Sequence, residues 1–378
     1  MTPLPPPPPV RTARRRDRRV YTRARPLLFA LLALTRTRPV LRCGRSVLVQ
    51  DESAYREALL HVPLDRTAPG TTGGAVRRLT DGGSLFDQTD GEHRAARRAV
   101  APLLGTAGVE RVRPVWRRTL TEALAPLEAH GTVDLVDLAR LLSGVTVCAL
   151  LDSPADPRAV AEAAARAAAA AVREHLPGPR LPHTGRRAAA AAARLEGLLD
   201  PDRSGPDTAL RAMLAVAAVN TTVAALPRAA AWCADAGLWE QAADDRLRPA
   251  LVTELLRVTA ASPLLPRAVA ADAVLAGHAL RAGDRLVLVA RHAARAHSDP
   301  PDALHPAPPV RSRLVFGAGP HACPGAGLAR AQLDDVLRLL AAHRPRVVAA
   351  RVDRRAALPS WRTLTVRAGV RPTATEAA

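Results

Sequence analysis

The 378-residue sequence predicts a mainly α-helical protein with small β-sheets. Alanine- and leucine-rich stretches repeat their apolar residues three and four positions apart, which is typical of amphipathic helices. Short β-branched runs beside glycine predict only short strands. Apolar residues make up 48% of the chain, which is too many for a wholly disordered protein.

The elements follow one another without an internal repeat. A short hairpin is expected around Gly44, with strands over Val40–Arg42 and Ser46–Val49. Helices are predicted over Gly91–Gly105, Glu110–Ala129, Arg158–Glu174, Arg186–Leu199, Thr208–Leu226 and Gly327–His343. Strand signals lie at 274–275, 280 and 286–289, and a proline-dense loop covers 299–312.

Three of these helices have features that limit them. Pro227 is expected to kink or end the helix that begins at Thr208, because proline has no N–H to donate within a helix. The alanine-rich segments 159–171 and 188–193 have little bulk to bury. We therefore expect them at the surface with shallow contacts.

The charge is strongly basic and unevenly distributed. All 54 basic residues are arginine, the net charge is +19, and residues 1–50 contain twelve arginines against one acid, Asp17. Such an excess first suggests nucleic-acid binding, but no aromatic residues alternate with the arginines and no nucleic-acid motif is present, so we expect no nucleic-acid partner. Residues 1–25, which include five consecutive prolines, are predicted to form a disordered basic tail before a single domain over 26–378.

The cysteines and the apolar runs exclude other classes. The four cysteines are too sparse for a disulfide scaffold or a zinc finger: Cys43, Cys148, Cys233 and Cys323. No apolar run approaches the roughly 18 residues of a membrane span. The run Leu27–Leu34 lacks the cleavage site of a secretory signal and is expected to form a first amphipathic helix, so we expect a cytoplasmic protein without a membrane span.

The most informative segment surrounds Cys323. The cysteine follows a glycine-rich loop and precedes a predicted helix, whose free N–H groups and dipole are expected to stabilise a thiolate. Gly317 and Gly319 have no Cβ atoms, so a large flat group fits against their backbone, and His321 is placed to reach an anionic substituent on it. One sulfur alone suits haem iron better than zinc or an iron–sulfur cluster. The alternative is an inert, buried cysteine after a turn.

These residues closely resemble the haem-binding signature of the cytochrome P-450 family, in its soluble bacterial branch. The match runs Phe316-Gly317-Ala318-Gly319-Pro320-His321-Ala322-Cys323-Pro324-Gly325, followed by Leu328-Ala329-Arg330. The resemblance implies the cytochrome P-450 fold, haem b (iron protoporphyrin IX) as cofactor and Cys323 as the metal ligand. It also places Phe316, Gly317, Gly319, His321 and Gly325 against the haem.

Other segments match the family in order along the chain. His93 and Arg97 lie one helical turn apart, and with Arg267 and His321 they match residues that bind the haem propionates. The structural pair Glu254 and Arg257 matches the family's Glu-x-x-Arg motif. The arginine that completes this motif in the family is replaced by Pro308, and Arg311 or Arg313 could substitute for it.

The resemblance places oxygen chemistry on the segment Ala217–Thr222. The family pattern has a glycine, an acid and two threonines there, and this chain has Ala218, Asn220, Thr221 and Thr222. We expect Asn220, Thr221 and Thr222 to be the catalytic residues, although an amide holds a water and does not cycle a proton as a carboxylate does. The alternative for these residues is an ordinary polar patch inside a helix.

The resemblance implies a monooxygenase that oxidises an apolar small molecule in secondary metabolism. It would use O2 and electrons from a ferredoxin-type donor and its reductase, because the sequence contains neither a reductase domain nor a Gly-rich nucleotide motif. Two alternatives stay open. Asn220 suggests a haem-thiolate protein with peroxide-driven or coupling chemistry, and the departures at Asn220 and Pro308 together suggest a non-catalytic partner protein on the same fold.

Overall fold

The computed structural model describes residues 8–80, 85–88, 90–175, 184–200 and 207–369. The helices are α1 (Pro8–Ala24), α2 (Pro26–Thr35), α3 (Glu52–Leu60), α4 (Thr72–Thr80), α5 (Asp90–Leu104), α6 (Thr106–Leu124), α7 (Leu135–Leu150), α8 (Pro157–His175), α9 (Thr184–Leu199), α10 (Thr208–Ala236), α11 (Trp239–Ala243), α12 (Arg248–Thr259), α13 (Ala290–Ala293), α14 (Pro309–Ser312) and α15 (Ala326–Ala341). The strands are β1 (Val40–Cys43), β2 (Ser46–Val49), β3 (Leu64–Asp65), β4 (Thr132–Asp134), β5 (Leu265–Val269), β6 (Ala273–Leu275), β7 (His278–Leu280), β8 (Arg285–Leu288), β9 (Arg346–Asp353) and β10 (Ser360–Arg367). The mainly α class with small sheets is therefore confirmed.

The strands form small sheets at the edge of the helical body. One sheet has the order β1-β2-β8-β5-β3, and it includes the predicted hairpin, in which Gly44 turns the chain at φ +58°. The long hairpin β9–β10 pairs with β4 in a second sheet and was not predicted, although Trp361, Leu364 and Val366 supply its buried face. In the first sheet β3 pairs antiparallel with β5, which brings Arg66 beside Arg267.

Helix α10 lies at the centre of the helical body, in contact with α1, α7, α8 and α12. It continues to Ala236, so of the two expected effects of Pro227, a kink or an end, the end is wrong. Pro227 and its neighbours Leu226 and Arg228 are buried, and packing on both sides of the proline holds the helix together despite the missing N–H. By length and composition alone α10 could cross a membrane, but a buried core helix of a soluble protein has the same features, so this is weak evidence for a span.

The alanine-rich helices α8 and α9 pack against each other and against α10. Ala161, Ala164 and Ala167 are buried there beside Leu195 and Val219, so the expected shallow contacts were wrong. Small side chains allow helix backbones to approach closely, so alanine side chains become buried although they are small.

The disordered tail predicted over residues 1–25 was wrong for the residues that the structure describes, since Pro8–Ala24 form α1. The reason is a set of partners remote in sequence. Asp17 pairs with Arg228 at 2.7 Å and with Arg291 at 3.5 Å, and the Tyr21 hydroxyl donates to the Thr259 carbonyl at 2.7 Å. A basic composition therefore did not prevent α1 from docking on the core. Residues 1–7 of the predicted tail lie outside the described residues.

Candidate cofactor site

The loop that precedes α15 is shaped by two short 3-10 turns, Leu314–Phe316 and Gly319–His321. Gly317 and Gly319 adopt φ values of +77° and +69°, which side-chain-bearing residues rarely adopt. The loop closes where the Cys323 N–H donates to the Phe316 carbonyl at 2.7 Å. The sequence thus presents Cys323 at the start of α15 on a fixed backbone.

The Cys323 side chain is accessible, although protein atoms surround it closely. Burial raises the pKa of its thiol, which outweighs the opposing effects of the Gly325 N–H bonded to the sulfur and of the nearby Arg97 and Arg330. The Gly325 N–H at the helix start lowers the pKa of the thiol, as expected of a group that stabilises a thiolate, but burial has the larger effect. A metal ion bound to the sulfur removes that proton outright.

The four predicted anion-binding side chains converge next to this loop. The rings of His93 and His321 lie 3.8 Å apart between centroids, and Arg97 donates from Nη1 to the Ala322 carbonyl at 2.6 Å. Arg267 extends from β5 and is 6% exposed. Burial and the surrounding arginines lower the pKa of His321 to about 3, which shows how strongly this site disfavours a further positive charge.

Arg66 joins this cluster and was missed by the sequence analysis. It is 6% exposed, and burial together with Arg267 lowers the pKa of its guanidinium to about 9. Nothing in its local sequence distinguishes it from the many other arginines. The signal that could have found it is the β3–β5 register, which places it beside Arg267.

The cluster contains positive charge without a matching acid. Among the described residues, no carboxylate forms an ion pair with Arg66, Arg97 or Arg267. The buried Nε atom of Arg267 and the buried Nδ1 atom of His321 have no hydrogen-bond partner in the part of the chain that the structure describes. Buried charges and donors are normally paired, so this donor set fits a ligand that carries two carboxylates. Together with one accessible sulfur and a glycine-lined backbone, the residues fit haem.

The pair Glu254 and Arg257 lies beneath the loop and is fully buried, with each side chain 1% exposed and the closest oxygen and nitrogen 2.5 Å apart. Arg257 also donates to the carbonyls of Ala294 and Pro300, at 3.1 and 3.0 Å. Glu254 accepts from the Ala307 N–H at 3.1 Å. The Ala307 N–H thus donates to Glu254 where the family has the arginine that Pro308 replaces.

The suggestion that Arg311 substitutes for the missing arginine was wrong, because its Nε binds the Glu52 carboxylate at 2.6 Å. Arg313 lies near Arg330, where the two guanidinium groups repel each other. Glu254 nevertheless keeps Arg257 and the Ala307 N–H as partners, so Pro308 does not leave it unpaired.

The predicted catalytic residues lie on α10. Asn220 donates from Nδ2 to the Val216 carbonyl at 2.8 Å and to the Ala164 carbonyl of α8 at 3.4 Å. The Thr221 hydroxyl donates to the Ala217 carbonyl at 2.8 Å, and Thr222 is half-buried. These hydrogen bonds go to helix carbonyls and not to the Cys323 loop. Asn220 also lines a cleft of about 1130 Å³ between α8, α10 and the β9–β10 hairpin.

The chain is similar in sequence to known proteins of one family. The cytochrome P-450 family model matches residues 246–341, which include the Glu254 and Cys323 segments. The chain is 32% identical over 298 residues to 20-oxo-5-O-mycaminosyltylactone 23-monooxygenase from Streptomyces fradiae, covering 69% of this chain and 68% of that protein. It is 29% identical over 331 residues to pentalenic acid synthase from Streptomyces avermitilis, covering 79% and 81%.

The fold agrees as well. The structure of CYP109E1 from Bacillus megaterium in complex with testosterone superposes with a TM-score of 0.73 at 19% identity, over 93% of this chain and all of that one. The chain therefore belongs to the cytochrome P-450 family, and the resemblance in its sequence is confirmed. It is an oxidoreductase of the monooxygenase type with the fold that this family shares.

Proposed function

We propose that the protein holds haem b, that the Cys323 sulfur would bind its iron, and that the protein oxidises an apolar small molecule in bacterial secondary metabolism. The observation that carries this proposal is the group of buried or half-buried side chains Arg66, His93, Arg97, Arg267 and His321, which forms no ion pair with an acid among the described residues and lies beside an accessible sulfur. The names of the two Streptomyces relatives, a monooxygenase and a synthase of small organic molecules, support the substrate class.

Each part of the site has a distinct role toward the cofactor. The Cys323 sulfur would bind the iron as a thiolate, and the Gly325 N–H that donates to the sulfur would stabilise its negative charge. The five cationic or donor side chains bind the two propionates and so fix the orientation of the ring. When bound, the haem supplies the activation of O2 that the protein side chains lack.

Electrons would come from a ferredoxin-type donor and its reductase. Arg313 and Arg330 lie close to one another beside the Cys323 loop, and Arg313 is exposed. An acidic donor protein fits this basic surface, since complementary charge steers association and fixes the docking orientation. We place the protein in the cytoplasm, where such donors occur.

Asn220 favours a second candidate, peroxide-driven or coupling chemistry on the same haem. Its amide is committed to the carbonyls of Val216 and Ala164, so it holds its position but cannot shuttle a proton. Substitution by aspartate provides the test. If proton delivery limits turnover, Asn220→Asp increases the fraction of O2 uptake that ends in product, whereas Asn220→Ala does not.

The proposal is tested by supplying the purified holoprotein with a ferredoxin, its reductase, NADPH and ¹⁸O2, using a panel of apolar macrolactones and terpenes. We expect incorporation of one ¹⁸O atom into an oxidised product. Product that forms only with hydrogen peroxide supports the second candidate. Stoichiometric haem with no product under either condition would contradict both.

A further inference from the structure

Helix α2 presents an apolar stripe to solvent. Leu27, Leu31 and Leu34 are 86%, 50% and 82% exposed, and their spacing of four and three residues places them on one face. No charged residue lies within Pro26–Thr35. Single exposed leucines are ordinary on protein surfaces, but three on one face of one helix are not.

The opposite face of α2 is firmly anchored, so the stripe is not the product of a frayed helix. Leu32 is 1% exposed and packs with Leu48 and Val289. The ring of Phe29 meets the buried ring of Tyr21 edge-on, with 4.9 Å between centroids. The stripe is thus held outward on a rigid support.

Arginines flank the stripe at both ends. Arg23 precedes α2, and Arg36 and Arg38 follow it, all three exposed. Arg25, half-buried at the start of α2, lies near Arg173 at the end of α8, and desolvation and this second charge lower its pKa. Among the described residues, none of these arginines forms a salt bridge with a carboxylate.

We propose that α2 docks the protein on an anionic phospholipid surface, with the leucine stripe in the boundary of the acyl region and the flanking arginines on lipid phosphates. Leucines combined with arginines are the composition of interfacial helices, and guanidinium groups bind phosphate strongly. Apolar and electrostatic contributions together suffice for reversible membrane binding.

A second copy of the chain fits this surface less well. The stripe corresponds to roughly two fully exposed leucine side chains, a few hundred Å² at most, whereas a stable protein interface buries about 800 Å² on each partner. Two copies would also bring their flanking arginines together without intervening acids. The surface therefore favours lipid phosphate over another copy of the chain.

The test is flotation of the full-length holoprotein with vesicles of phosphatidylcholine, with and without phosphatidylglycerol. We expect binding to the anionic vesicles at about 0.1 M salt, and weaker binding at about 1 M salt, where screening shortens the reach of the arginines. The variant Leu27→Ser/Leu31→Ser/Leu34→Ser should lose at least about tenfold in partitioning. Arg36→Gln/Arg38→Gln should weaken binding to anionic vesicles only.

The matched control removes exposed apolar residues that do not form a stripe, as Val115→Ser/Val274→Ser/Leu304→Ser, and should bind vesicles as the unmodified protein does. Circular dichroism and the haem spectrum check that each variant is folded. The proposal is overturned if the unmodified protein does not float with anionic vesicles, or if the triple leucine variant floats equally well. It is also overturned if sedimentation shows a dimer that only the leucine variant loses, because a second copy would then cover the stripe.

Discussion

Replacing Arg257 by leucine removes the cation that neutralises Glu254 beneath the loop that presents Cys323. Both side chains are 1% exposed, so the remaining carboxylate stays buried with the Ala307 N–H as its donor, and the carbonyls of Ala294 and Pro300 each lose a donor. Breaking a buried pair from one side costs about 3–5 kcal/mol. We expect Arg257→Leu to lower the free energy of unfolding by that amount and to loosen the loop that presents Cys323.

The assay is equilibrium unfolding in urea, followed by circular dichroism and by the haem absorbance. Arg166→Leu is a matched control, because Arg166 also forms a pair with Glu162 one turn away, but the two side chains are 58% and 61% exposed. That change should cost less than about 0.5 kcal/mol. The double variant Glu254→Leu/Arg257→Leu should recover part of the loss, since no buried charge then remains. An Arg257→Leu protein within about 1 kcal/mol of the unmodified one would refute the reasoning.

Three further changes test the rest of the structure. Asp17→Asn leaves Arg228 buried without its carboxylate, and urea unfolding should show a loss of about 3–5 kcal/mol. Arg66 is proposed to donate to the haem carboxylates, so Arg66→Leu should make haem transfer to apomyoglobin faster by about tenfold or more, while the haem-free protein becomes more stable. Burial lowers the pKa values of His292 and His297 to about 3 and 4, so below pH 6.5 the unfolded chain binds protons that the folded protein does not. The free energy of unfolding should therefore decrease as the pH falls below 6.5, by up to about 1.4 kcal/mol per pH unit for each histidine. The variant His292→Gln/His297→Gln should show a weaker pH dependence.

These three predictions have their own controls. Asp235 pairs with the more exposed Arg16 of α1, so Asp235→Asn should cost no more than about 1 kcal/mol. If Asp17→Asn costs as little, α1 is not anchored by its buried pair. Unchanged haem transfer in Arg66→Leu would remove Arg66 from the cofactor site. A pH dependence that persists in the double histidine variant would assign the acid sensitivity to other groups.

Two parts of the candidate cofactor site could be predicted from the sequence, because the residues within each part lie close together in the chain. Phe316–Gly325 form one loop, and His93 and Arg97 lie one helical turn apart. Arg66 could not be predicted in this way. It reaches the site through the pairing of β3 with β5, which joins segments about 200 residues apart, and pairing of that kind leaves no local pattern.

The incorrect predictions about residues 1–25 and Pro227 also arose from contacts between segments that are far apart in the chain. Composition predicted that the arginine-rich residues 1–25 would be disordered, but Asp17 and Tyr21 find buried partners more than 200 residues away. Proline chemistry predicted a kink or an end at Pro227, but the helix does not end there, because packing from several helices outweighs the loss of one hydrogen bond. Local rules describe what a segment prefers in isolation, and tertiary contacts overrule them where burial is extensive.

The central claim is that Cys323 binds haem iron as a thiolate, although burial raises the pKa of the free thiol. The most direct measurement is the absorbance spectrum of the purified, reduced protein under carbon monoxide, compared with that of Cys323→Ser. We predict the strongly red-shifted Soret band of thiolate-ligated haem in the unmodified protein and its absence in the variant. A Soret band at the position found with a neutral axial ligand, or the same spectrum from both proteins, would contradict the claim.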